Sequence, residues 1–134
     1  MADSIKKILK PLIRAQKRCI RTVYDIKWDA SVSEIMKARQ ILSLRQIVEI
    51  NSATEGYKIV HGLAPTSIQN DFVRSTNERR NLDLEISRHN STRTRCLPSY
   101  NLPKLWNGIS ENQKKVKNLH SFREQLKKNF LGRA

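Results

Sequence analysis

Apolar residues at Ile5, Ile8, Leu9, Leu12, Ile13, Cys19, Ile20 and Val23 recur at three- and four-residue steps. That period places them on one face of a helix. Lys7, Lys10, Arg14, Arg18 and Arg21 follow the same steps on the opposite face. A helical wheel gathers these bases into one arc. Pro11 either starts a longer helix in its first turn or kinks a continuous one. Cys19, on the apolar side, reads as a buried small hydrophobe.

Ser31 and Glu34 have the spacing of a capping box, which predicts a short helix through Ile35, Met36 and Ala38. Ser43 and Gln46 repeat the device and open the longest central helix. Its apolar positions are Leu44, Ile47, Val48, Ile50, Ala53, Tyr57 and Val60, and Gly62 is placed to end it. The chain turns at 63–65, and Thr66 opens another short helix carrying Ile68, Phe72 and Val73. Near the far end, Asn118 caps a helix whose Leu119, Phe122, Leu126 and Phe130 step by three, four and four before Gly132.

Between 74 and 103 the chain becomes polar and the caps disappear. Leu82, Leu84 and Ile86 alternate with acids, as a half-buried strand would, and a second extended piece spans Thr94 to Leu97. Pro98 and Pro103 bracket an irregular loop, after which Leu105, Trp106 and Ile109 form a helical turn that plugs the core. The expected fold is a mainly α domain of about five to six helices, with an irregular or short β-hairpin segment near 82–97. Residues 1–134 read as one domain: a helical half 1–73, an extended or irregular segment 74–110 and a C-terminal helix 111–134.

Charge changes this picture from scaffold to surface. The 134 residues hold 26 Lys and Arg against 12 Asp and Glu, a formal net charge of +14. The excess lies outside the stretch 28–73, which holds four bases and five acids. Such surfaces attract polyanions, since bound cations release the counterions condensed on phosphates. No apolar run reaches the roughly 18 residues of a membrane-spanning helix. Cys19 and Cys96 are too few for a disulfide scaffold. With no secretory apolar stretch at the start, the chain reads as intracellular.

Catalytic chemistry needs a constellation, and the sequence offers none. Its aspartates are never adjacent, and its four glycines form no phosphate-cradling loop. His89 and Cys96 come nearest to a ligand pair, yet zinc sites need four ligands in paired spacings. No catalytic residue, metal or cofactor is therefore assigned, and the isolated chain is expected not to be an enzyme. The candidate phosphate contacts are Lys7, Lys10, Arg14, Lys17, Arg18, Arg21, Arg79, Arg80, Arg93, Arg95, Lys114, Lys115, Lys117, Lys127 and Lys128. Lys114 to Lys117 also fits a short basic nuclear-import pattern, which favours the nucleus over the cytoplasm. With few aromatics, base stacking is a minor expectation; Trp28 and Trp106 are the candidate stacking platforms, but Trp106, beside Leu105 and Ile109, reads first as core.

Three stretches share an order and spacing. Leu12 to Tyr24 (LIRAQKRCIRTVY) resembles the basic LQKRAIRII helix late in LINE-type, jockey-like non-LTR retrotransposon reverse transcriptases. Tyr57 to Pro65 (YKIVHGLAP) resembles their YK-x-x-x-GLAP segment. Leu102 to Asn107 (LPKLWN) and Leu119 to Lys128 (LHSFREQLKK) resemble their P-x-LWN and SL-x-x-FK-x-x-LK ending. The resemblance runs from Ile5 to Leu131. It departs after Asn107, where the family's LWNSLP loses its proline to Gly108, Ile109 and Ser110, and it is loose over 74–95.

The resemblance implies the region after the polymerase palm, the thumb-like helices and C-terminal extension, without the palm's paired aspartates. It therefore implies a fragment of an RNA-directed DNA polymerase that grips RNA or an RNA/DNA duplex through phosphates, beside a reverse transcriptase core. A truncated element, a piece of a longer reading frame and a stand-alone protein all fit. The competing expectation is a helical protein-interaction module whose basic faces meet an acidic partner or a separate polymerase core. An exposed apolar patch would mark it. A membrane-surface role for residues 1–24 is a third.

Overall fold

A computed structural model describes residues 2–86, 88, 91 and 97–132, with side chains from Lys7 onward. The described residues form a mainly helical domain of seven α-helices, five of them of seven residues or more, with essentially no strand. In chain order these are α1 (Ala2–Val23), α2 (Val32–Ala38), α3 (Leu44–Val60), α4 (Thr66–Gln69), α5 (Pro98–Asn107), α6 (Glu111–Lys114) and α7 (Leu119–Gly132). The helix α1 runs continuously through Pro11.

The central helix α3 starts as its sequence predicts. Gln46 N–H donates to Ser43 Oγ at 3.3 Å, and Ser43 N–H donates back to Gln46 Oε1 at 3.0 Å. Both arms of the capping box are closed. Ser31 differs: it is the N-cap of α2, but its side chain makes no cap hydrogen bond. Three helices end in the same way. Leu63 N–H reaches Lys58 O, Ile41 N–H reaches Met36 O, and Ile26 N–H reaches Arg21 O, at 2.8–3.0 Å. Each closure needs a residue with positive φ, supplied by Gly62, Gln40 and Asp25 at 73°, 54° and 50°. Only Gly62 announces itself in the sequence.

The helix α3 is surrounded rather than amphipathic. Its Ile50, Ala53, Thr54, Gly56, Tyr57, Ile59 and Val60 are all buried, with α5 and α7 packed across it. Trp106 of α5 lies on Gly56, where an added Cβ would sit 2.9 Å from the indole. Tyr57 stacks on Phe122 of α7 with centroids 4.8 Å apart. Trp106 and Phe122 are fully buried, and burying a side chain such as Phe122 contributes about 2–3 kcal/mol. A second, smaller cluster of Ile20, Val32 and Met36 joins α1 to α2.

Three expectations need correction. Pro98 and Pro103 lie within α5, not around a loop. Pro98 occupies the first helical position, where an N–H is dispensable, and buried Pro103 packs with the core. The Leu82–Ile86 alternation does not make a strand: only Leu84 forms a bridge, antiparallel to Arg74. Its partner is the preceding segment, through Ser75 N–H to Asp83 O and Glu85 N–H to Val73 O. Residues 94–96 of the expected second strand lie outside the described residues, and Leu97 is the N-cap of α5. Thr66 begins α4, but Pro65 is its N-cap, and Phe72 and Val73 fall beyond its end.

Candidate nucleic-acid interface

The helix α1 presents three faces. Leu9, Ile13, Gln16 and Ile20 turn inward. Gln16 fixes the helix against the rest of the fold: its Nε2 donates to Leu42 O at 2.9 Å, and its Oε1 accepts from Leu44 N–H at 3.1 Å. On the far side Lys7, Lys10, Arg14, Lys17 and Arg18 are exposed. Among the described residues, none of the five has a carboxylate within ion-pair distance. The third face, Ile8, Leu12, Ala15, Cys19 and Val23, is apolar and exposed. Cys19 is thus not the buried residue its position suggests, because the apolar arc is wider than the surface available to cover it.

Two predicted contacts turn out to be structural. Arg21 is half-buried and donates from Nη2 to Ala30 O at 3.3 Å, bracing the turn between α1 and α2. Lys114 is 1% exposed. Its Nζ meets Asp83 Oδ1 at 2.5 Å and lies 5.6 Å from the Trp106 ring centroid, so no phosphate reaches it in this fold. The basic run 114–117 consequently offers only Lys115 and Lys117 at the surface.

The remaining candidates are dispersed. Arg79 and Arg80 are exposed on a 3-10 turn at Glu78–Arg80. Lys115 is paired with Glu111 at 3.7 Å, a surface contact worth about 0–1 kcal/mol. Lys127 and Lys128 are exposed on α7. Arg93 and Arg95 lie outside the described residues, as do His89 and Cys96. Trp28 is 87% exposed, whereas Trp106 is core, as expected beside Leu105 and Ile109.

A groove between α3 and α7 adds one cation that sequence reasoning misses, Arg123, beside the expected Lys127. Leu42, Ile47, Ile50 and Asn51 line one side, and His120, Arg123, Glu124 and Lys127 the other. The signal is present as helical spacing, since Arg123 lies one turn before Lys127 and flanks the Leu119, Phe122 and Leu126 stripe. Leu42 both accepts the Gln16 amide and lines this groove, so α1 meets the groove there.

No three His, Cys, Asp or Glu side chains among the described residues come together as metal ligands. No helix there is long and apolar enough to cross a membrane. Compared with known proteins, the chain matches no family model, no curated protein and no solved structure.

Proposed function

We propose that the chain is a non-catalytic module that binds RNA or an RNA/DNA duplex through the phosphate backbone. The observation that carries this reading is α1: five exposed cations on a face held in register by Gln16, without ion-pair partners among the described residues. Free of local carboxylates, their charge is available to phosphates. The three motif stretches support the same reading, since they resemble the region after the palm of non-LTR retrotransposon reverse transcriptases. On this reading the chain positions nucleic acid, works beside a separate polymerase core in the nucleus, and carries out no chemistry itself. Binding follows the backbone and discriminates weakly among sequences.

Replacing Lys7, Lys10, Arg14 and Arg18 with Gln tests it, because Gln keeps helix propensity close to that of Lys and Arg. If the face neutralises about four phosphates, log affinity falls with log salt at a slope near −3 to −4. The fourfold variant should bind RNA weakly and show a flattened slope, with an unchanged circular dichroism spectrum. Unchanged affinity and slope in a folded variant would remove α1 from the interface.

A further inference from the structure

The third face of α1 is not used by phosphate binding. Ala15, Ile8, Cys19, Leu12 and Val23 fall within about 80° of one another on the helix circumference, at about 100° per residue. Ile8, Leu12 and Val23 are 72%, 55% and 74% exposed. Steps of four, three and four from Ile8 to Cys19 are those of a coiled-coil seam. Isolated exposed apolar residues are ordinary, but a contiguous stripe along a charged helix marks an interaction site.

The surroundings specify the occupant. No acid occurs from Ser4 through Tyr24, and Lys7, Arg14 and Arg18 border the stripe on its solvent side. Pro11, Arg14, Ala15, Arg18 and Cys19 enclose a shallow hollow. Small residues at its floor and arginines at its rim leave room for one side chain of a facing helix, with carboxylates flanking it. We propose that this seam seats an acidic amphipathic helix from a partner protein. Its apolar knobs enter the seam between Ile8 and Val23, and its acids meet Lys7, Arg14 and Arg18. A second copy of α1 would set like charges against one another. A bilayer surface calls for a broad face with large side chains, whereas this stripe is narrow and small at its middle.

The probe is a synthetic helix of about three heptads with Leu at a and d and Glu at e and g. Binding is measured by calorimetry to the full chain and to the double variant Ile8→Gln, Leu12→Gln. These exposed positions keep the net charge, so the variant should fold and bind RNA with unaltered affinity and salt slope. Peptide affinity should fall roughly tenfold or more, since two apolar contacts are lost. A peptide with Gln replacing its Glu residues should also bind more weakly. The proposal is overturned if the variant binds the peptide as tightly as the original chain. It is equally overturned if the peptide fails to bind while the stripe supports self-association in sedimentation, or captures vesicles that are roughly one-third phosphatidylserine. An original chain that binds the peptide but not RNA would sink the nucleic-acid reading and leave this one standing.

Discussion

Replacing Lys114 with Met removes a buried ammonium and leaves its partner behind. In the folded chain the Nζ donates to Asp83 Oδ1 at 2.5 Å and to Asn107 O at 3.4 Å. The two charged side chains are 1% and 11% exposed. Removing one member of such a pair costs about 3–5 kcal/mol, chiefly because the surviving charge is stranded. Asp83 keeps a little solvent and Met fills the aliphatic path of Lys114, so the lower end, about 3 kcal/mol, is expected. For a chain of this size that is a drop of roughly 10 °C in melting temperature. Adding Asp83→Val should restore stability to within about 1 kcal/mol of the starting chain, because both desolvation costs disappear together. Urea titration followed by far-UV circular dichroism measures all three proteins. Below the melting temperature, Lys114→Met should bind RNA as the original chain does. A single substitution that changes stability by less than about 0.5 kcal/mol would refute the buried pair.

Two further outcomes follow from other elements. Gln40→Gly should stabilise the chain by about 0.5–1 kcal/mol, because Gln40 closes α2 at a φ of 54° that glycine adopts without a Cβ penalty; thermal melting reads it. Burial pushes the Tyr57 phenol above its ordinary value of 10.0, which favours the neutral form in the folded chain. Its contribution is therefore complete below about pH 10 and is lost as pH rises through the folded-state value. Tyr57→Phe should cost about 1 kcal/mol at pH 8 through the lost bond to Val116 O, and should lose less stability than the original chain above pH 10.

Elements that depend on local chemistry are legible in the sequence. Ser43 with Gln46, Gly62, and the α7 stripe of Leu119, Phe122 and Leu126 each carry their signal within a few neighbouring residues, and each stands where the sequence puts it. The elements that escape depend on partners distant in sequence. The helix α5 is hidden by two prolines that break an isolated helix but are accommodated at its first position and against α3. Lys114 sits in a run of lysines that reads as a surface run, and the countercharge that makes its burial possible comes from Asp83, 31 residues away. On α1 the basic face is visible from spacing alone. Spacing does not reveal which part of a wide apolar arc the core covers, and Leu9, Ile13 and Ile20 take that place while Ile8, Leu12 and Cys19 do not.

One side chain also decides how the 82–84 segment meets other molecules. Leu84 uses neither of its own backbone groups toward Arg74, and both are taken by Asn107: Leu84 N–H donates to Oδ1 at 2.9 Å, and Nδ2 donates to Leu84 O at 2.8 Å. A single amide thus stands where a third strand would lie. An extended segment with a bare edge is a template for pairing with another chain. Here the template position is filled from within, so recruitment of a neighbouring strand at Leu84 must first displace Asn107. Protection from intermolecular sheet growth at that point therefore resides in one asparagine at the end of α5, and an alanine there would leave both Leu84 backbone groups without that partner.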